Sequence, residues 1–160
     1  MQQFVDSTRA AVNQSNWYAA LAMALTLPDI CGRIEEPTAK SEPRFVSWYD
    51  RFLLARYQGH PGGTQHTFLS GSDCYALRCA FLHQGELGIN DQRAREALEH
   101  FQFTAPRLGS FVHMNQVNNL LQLQVDRFSL DVCEGVEKWL ASVVGNADIQ
   151  SRLVKLAVIV

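Results

Sequence analysis

The segment that decides the fold is SGSDCYALRCAFLHQG, residues 70–85. Its interior is largely apolar, Ser72 and Asp73 are residue types that begin helices, and Gly85 is the type that ends them. The pattern predicts a capped helix that runs to about His83, with Gly85 just beyond its end. That helix would carry an arginine in its interior and a histidine at its C-terminal end.

Helical patterns also dominate the chain on both sides of this segment. Apolar residues recur at three- and four-residue steps, which predicts helices at residues 4–12, 17–27, 45–56 (beginning after Pro43), 130–144 and 149–156. We expect Pro28 to break the second of these helices or to begin a new turn, and Gly32 to stop it. The apolar stripes predict a shared core, whose expected members are Trp17, Leu21, Leu25, Trp48, Phe52, Leu77, Phe81, Val136 and Trp139.

The pattern changes after Gly85. Residues 101–104 and 121–125 alternate between apolar and polar side chains, as half-buried strands do. Residues 111–114 are a further strand candidate, and residues 91–99 are a candidate for a short polar helix. We therefore predict an all-α fold, an antiparallel up-and-down helical bundle, with a minor β hairpin after Gly85.

Length and composition favour one folded domain over residues 1–160. The chain is 47% hydrophobic and 19% charged, which suits a globular protein with a core of its own. Glycines and a proline within residues 58–67 predict a mobile loop. Fourteen Lys and Arg against sixteen Asp and Glu give a net charge of −2. This balance argues against coating nucleic acid by bulk charge, but it does not exclude a local basic pocket.

Cysteine spacing and the length of apolar runs indicate the cellular compartment of the protein. No two of the four cysteines form a CxxC pair, and the N-terminus lacks the basic and apolar regions of a signal peptide. The longest apolar run, residues 17–27, is shorter than the about 20 residues that span a bilayer. We expect a cytoplasmic protein with reduced thiols, without membrane association, bound metal or cofactor. His60 and His66 are expected in a solvated loop.

Arg78 and His83, with four residues between them and a His-Gln-Gly exit, resemble the motif of the HEPN superfamily of small helical-bundle proteins. An Arg, four to six residues and a His near the end of a bundle helix are its hallmark. The resemblance implies a metal-independent endoribonuclease, in which a homodimer brings both motifs to one cleft and Arg78 and His83 are catalytic. It also implies RNA as substrate, a bacterial toxin or phage-defence setting, and an antitoxin or nucleotidyltransferase partner.

The chemistry of the two side chains can be stated without the resemblance. The 2′-hydroxyl of RNA can attack the adjacent phosphorus if a base takes its proton and a cation stabilises the phosphate. A histidine suits the first role and an arginine the second. Residues five apart on a helix point about 140° apart, so we expect Arg78 and His83 to meet only across a dimer or where the helix frays. Tyr75 and Cys79 are substrate-binding candidates on the same helix.

Three further arginines, Arg44, Arg51 and Arg56, are predicted to lie on one helix. Together with Arg78 they would form a basic strip, although they also suit a solvated helix face. We take Arg56 as a third substrate-binding candidate on this ground.

Alternatives stay open for the same residues. Arg78 can close an ion pair with a neighbouring helix, His83 can interact with the helix C-terminus, and Tyr75 can belong to the core. Cys79 stands where the family usually has Asn, Asp or His, which favours a non-catalytic interaction domain that binds a nucleotide or a partner protein. A third alternative is a small enzyme in which Cys79 and His83 form a nucleophile pair.

Overall fold

The computed structural model describes residues 1–159, which form six α-helices and five short strands. Helices α1 to α6 span Gln2–Asn13, Trp17–Glu35, Ser41–Phe52, Gly71–Gln84, Val125–Ser142 and Ala147–Leu153. Strands β1 to β5 span Gln58–Gly59, His66–Thr67, His100–Thr104, Asn115–Val117 and Leu120–Gln124. With 56% helix and 13% strand, the predicted helical majority is confirmed, but the fold is mixed and not purely all-α. Val160, the last residue of the predicted domain, lies outside the described residues.

The central helix is α2, which packs against α1, α3 and α5. It continues through Pro28 and Gly32, so the predicted break and stop are wrong. A proline inside a helix removes one hydrogen bond, but apolar residues on both sides of Pro28 are buried, and this packing keeps the helix intact. A Cβ atom at Gly32 would lie 2.8 Å from the carbonyl oxygen of Arg44. Glycine therefore lets α2 and α3 approach closely.

The predicted core is largely correct. Leu21, Leu25, Trp48, Leu77, Val136 and Trp139 are buried together, while Trp17, Phe52 and Phe81 are partly buried and pack against them. The first and fifth helices pack on α2 and on each other, and α5 also contacts α3. Helix α4 is held in the bundle through buried residues that include Cys74, Leu77 and Ala80, while His83 in its last turn is exposed.

The residues after Gly85 form a three-stranded sheet in the order β3-β5-β4. The predicted hairpin corresponds to β4 and β5, which are antiparallel with Gln116 opposite Leu121. Residues 101–104 were also expected to be extended and lie in β3, but the hairpin prediction did not include the parallel pairing of β3 with β5, which places Phe101 opposite Leu121. Leu121 and Leu123 are buried, as their alternation with glutamines predicts. The central strand β5 runs directly into α5.

Two local predictions after Gly85 are wrong. Residues 91–99 form turns and not a helix, because the Asp73 carboxylate accepts the N–H groups of Glu96, Ala97 and Leu98 and so fixes this segment from outside. Residues 111–114 are not a strand, since Met114 has a φ of 53° and extended structure begins at the next residue.

The loop of residues 58–67 has local structure of its own. Its ends pair as β1 and β2, with Gln58 opposite Thr67, and its mobility stays a prediction. Among the described residues, every helix falls short of the combined length and apolar character that crossing a membrane requires.

Candidate functional site

The helix that carries the motif, α4, has well-defined ends. Its N-cap is Ser70 and not the predicted Ser72 or Asp73, and the Ser70 hydroxyl accepts a hydrogen bond from the Asp73 N–H at 3.1 Å. At the other end Gly85 has a φ of 73°, a conformation that favours glycine, and its N–H donates to the Phe81 carbonyl. The helix is therefore regular through its last turn, where His83 lies.

Arg78 and His83 meet within one chain. Nη1 of Arg78 lies 3.3 Å from Nε2 of His83, so the expectation that they meet only across a dimer or at a frayed end is wrong. The angle of 140° applies to the Cα–Cβ directions, but the arginine stem is long enough to carry its guanidinium along the helix to the histidine. His83 is exposed at the helix end, whereas the Arg78 side chain is only 17% exposed.

Asp29 on α2 holds the guanidinium of Arg78 in place. One carboxylate oxygen accepts a hydrogen bond from Nη2 of Arg78 at 3.0 Å. The other accepts from Nη2 of Arg44 at 3.0 Å, from its Nε at 3.2 Å, and from the Ser41 hydroxyl at 3.0 Å. Asp29 thus joins three helices, and its side chain is 16% exposed. The close approach of α2 and α3 at Gly32 brings Arg44 within reach.

Tyr75 and Cys79 both border this cluster. The Tyr75 ring packs edge-on against Phe45 at 5.3 Å. Burial raises the pKa of Tyr75, a hydrogen bond with Ser41 opposes the rise, and the neighbouring Cys79 adds to it. The Cys79 thiol accepts a weak hydrogen bond from Nη1 of Arg78 at 3.9 Å. The structure therefore brings together four of the five predicted site residues.

Arg56 lies in a different cluster. Helix α3 ends at Phe52, so Arg56 falls beyond it in a short 3-10 turn, and the prediction that Arg44, Arg51 and Arg56 share one helix is wrong. The Arg56 guanidinium donates to Asp131 at 2.7 Å and also pairs with Glu134, both on α5. Its positive charge is already neutralised by two carboxylates.

The cluster around Asp29 has an excess of positive charge. It contains two guanidinium groups, from Arg44 and Arg78, and one carboxylate. His83 adds a further positive charge when it is protonated. A local basic site therefore exists in a chain whose net charge is −2. Its exposed member can transfer a proton, and its arginine offers planar donors suited to a phosphate.

Sequence reasoning grouped Arg44 with Arg78 in a basic strip, but it missed Asp29 and Ser41 as members of the cluster. Asp29 follows Pro28, where we expected a helix break, so its direction relative to α4 was not defined. Had the sequence been interpreted as one continuous helix through Pro28, Asp29 would have been placed on α2, where it contacts Arg44 of α3 and Arg78 of α4.

Other candidate groups do not converge on this cluster. His66 contacts the Gln116 side chain at 2.8 Å and packs against Phe68. All four cysteines are unpaired, and Cys31, Cys74 and Cys133 are buried. In residues 1–159 no group of three or more His, Cys, Asp or Glu side chains is arranged to hold a metal ion.

Comparisons of this chain with protein-family models, with curated proteins and with solved structures found no match.

Proposed function

We propose that this chain is an endoribonuclease of HEPN type that needs no metal ion, with His83 as the proton-transfer group and Arg78 as the phosphate ligand. The observation that carries the proposal is the 3.3 Å contact between Arg78 and His83 at an exposed helix end. An arginine beside a histidine stabilises the fold little, because the two repel each other whenever the histidine is protonated. The same pair suits a bound phosphate, which attracts both.

The reaction we propose is an internal transesterification. The 2′-oxygen of a ribose forms a bond to the adjacent phosphorus while the bond from phosphorus to the 5′-oxygen breaks. A base takes the 2′-hydroxyl proton and an acid protonates the 5′-oxygen, so the products are a 2′,3′-cyclic phosphate and a 5′-hydroxyl. Arg78 contacts the non-bridging oxygens, whose charge increases in the transition state. Asp29 acts as a positioning residue, since it fixes the Arg78 guanidinium.

A homodimer completes this mechanism. One His83 cannot serve as base and acid in the same step, whereas two copies related by a twofold axis would supply both groups to one cleft. The resemblance of the Arg78–His83 motif suggests such a dimer, and it also suggests a toxin or phage-defence setting with an antitoxin or nucleotidyltransferase partner. A dimeric site would give a bell-shaped dependence of rate on pH.

The test is incubation of the purified protein with labelled RNA in EDTA. We expect cleavage that survives chelation and leaves a 2′,3′-cyclic phosphate end. A matched substrate with one 2′-deoxy residue should resist cutting at that position, because the nucleophile is missing there. Cutting of the 2′-deoxy position, or cleavage that requires magnesium, would contradict the mechanism.

A second candidate is a non-catalytic interaction domain that binds a nucleotide or a partner protein. The observation in its favour is the ion pair between Arg78 and Asp29, which uses part of the guanidinium for structure. Cys79 also offers only a weak donor where a more polar side chain would orient His83. Under this candidate the RNA stays intact in EDTA and in magnesium alike, while the protein still binds nucleotide or partner.

A further inference from the structure

An aromatic cleft of about 240 Å³ lies where α2, α4 and β3 meet. Trp17 and Tyr18 line it from α2, Phe81 from α4 and Phe103 from β3. Tyr18 is 81% exposed, so its ring is accessible to a ligand at the edge of the cleft. The cleft therefore presents ring surfaces from three elements to solvent.

A second cleft of about 320 Å³ adjoins the aromatic one and is polar. The two share Phe103, Thr104 and Ala105, and the second is also lined by Gln102 and Arg107. Arg107 is exposed and forms no ion pair with a carboxylate within residues 1–159. An apolar peptide side chain would fill the aromatic cleft but would make no use of the polar cleft or of Arg107. A flat ring joined to a phosphate matches both.

The aromatic cleft is next to the Arg78–His83 pair along the chain. Phe81 lies between the two motif residues on α4, and it differs from His83 by roughly 3 Å along the helix axis at 1.5 Å per residue. Leu87, four residues after His83, also lines the cleft. Phe81 and His83 nevertheless point about 160° apart around α4, because they are two residues apart, so a strand with one phosphate at the pair would have to turn around the end of this helix, where Leu87 lies, to enter the cleft.

We propose that the aromatic cleft stacks a base of single-stranded RNA and that Arg107 binds a neighbouring phosphate. The choice of RNA rests on the proposed function and deepens it, because it names an unpaired strand as the substrate class. Stacking on aromatic rings is tolerant of sequence, since every base has a flat face. We therefore expect binding with little preference among the four bases.

The binding test uses an RNA octamer that is 2′-O-methylated throughout, so that no 2′-hydroxyl can attack. Trp48 and Trp139 are fully buried, which leaves the partly buried Trp17 to report on the cleft by its fluorescence. We expect a saturable change in emission. Tyr18→Ala should weaken binding about 5- to 140-fold, the equivalent of about 1–3 kcal/mol of base stacking. Tyr18→Phe should bind like the wild type, and so should Val154→Ala, whose side chain is also 81% exposed.

The phosphate contact has a separate readout in the salt dependence of binding. Each phosphate contact to a single strand contributes about 0.7 to the slope of log K against log salt concentration. Arg107→Ala should lower the slope by about that amount, while Arg93→Ala, at another exposed arginine, should leave it unchanged. An unchanged slope in Arg107→Ala would overturn the phosphate assignment.

The inference and the proposed function fail in different experiments. Equal affinity of Tyr18→Ala and wild type for the methylated octamer would overturn the base-stacking site, even if the protein cleaves RNA. A dimer that shields Trp17 from acrylamide without RNA would also overturn it, because a second copy would then fill the cleft. Binding that Tyr18→Ala weakens, in a protein that never cleaves RNA, would support the cleft and contradict the catalytic proposal.

Discussion

Two clusters of the same residue types, arginine, aspartate and histidine, lie in different parts of this molecule. In the first, Asp29 contacts two arginines, Arg44 and Arg78, and Arg78 reaches an exposed histidine. In the second, one arginine, Arg56, contacts two carboxylates. The first cluster has one positive charge more than its carboxylate neutralises, and the second has one negative charge more than its arginine neutralises.

The comparison shows that tertiary partners decide which arginine is available to a ligand. The sequence offered both arginines as site residues, Arg78 through its spacing from His83 and Arg56 through its place near Arg44 and Arg51. In the fold, Arg56 is enclosed by acidic residues of α5, which would repel a phosphate. Arg78 shares its single carboxylate with Arg44, so the pair retains attraction for an anion.

The largest expected effect is on the RNA cleavage that we propose for the first cluster. His83→Ala should lower the cleavage rate by about 10²- to 10⁴-fold, the usual share of general acid–base catalysis. Arg78→Lys should also cleave more slowly than the wild type, because the point charge of a lysine cannot match the bidentate contact of an arginine with phosphate. Single-turnover cleavage of one labelled RNA measures both.

The matched control for that experiment is His60→Ala, which changes an exposed histidine in the loop of residues 58–67. It should cleave at the wild-type rate. A His83→Ala protein that cleaves as fast as His60→Ala would mean that the contact between Arg78 and His83 is not catalytic.

The helices and the central strand were predictable because periodic burial sets them. The alternation of Leu121 and Leu123 with glutamines identified β5, and the capping residues identified the extent of α4 to within two residues. Pairing between distant segments was not predictable, because nothing local records it. Thus the parallel pairing of β3 with β5 and the turns that Asp73 organises appeared only in the fold.

The candidate site shows the same division between local patterns, which the sequence records, and contacts between distant segments, which it does not. Arg78, His83, Tyr75 and Cys79 share one helix, so their spacing in the sequence was enough to group them. Asp29 and Arg44 approach from two other helices, through a proline and a glycine that sequence reasoning took as interruptions. The sequence thus grouped the four candidate residues of α4, but it did not identify the carboxylate that contacts Arg78.

An intermediate effect on stability distinguishes the two clusters. Asp29→Asn leaves Arg44 and Arg78 facing each other without a carboxylate, so it should lower the free energy of unfolding by about 1–3 kcal/mol. Asp131→Asn leaves Arg56 paired with Glu134, and the amide oxygen of the new asparagine can still accept a hydrogen bond from Tyr57. We therefore expect it to lower the free energy of unfolding by only about 0.5–1.5 kcal/mol. Urea unfolding of both variants at one pH measures the difference. A larger loss in Asp131→Asn would contradict the charge comparison.

The smallest effect concerns pH and the histidine of the second cluster, His113. Its Nδ1 accepts the N–H of Gln124, the N-cap of α5, at 3.3 Å, and its Nε2 lies 3.8 Å from Asp131. Burial lowers the pKa of His113 below 6.5, Asp131 and Asp126 oppose the shift, and Arg127 adds to it. The folded protein therefore keeps this imidazole neutral at a pH where the unfolded chain has protonated it.

The sign of the pH effect follows from proton uptake. Below pH 6.5 the unfolded chain binds a proton at residue 113 that the folded protein does not, so the contribution of His113 is complete above pH 6.5 and is lost as the pH falls toward the lowered pKa. The loss is at most about 1.4 kcal/mol per pH unit for one proton. His113→Gln keeps an acceptor for the Gln124 N–H but does not titrate. Urea unfolding between pH 7 and pH 5 should show a steeper loss of stability in the wild type than in His113→Gln. Parallel curves would mean that His113 takes up its proton equally in both states, and the second cluster would then not depend on a neutral histidine.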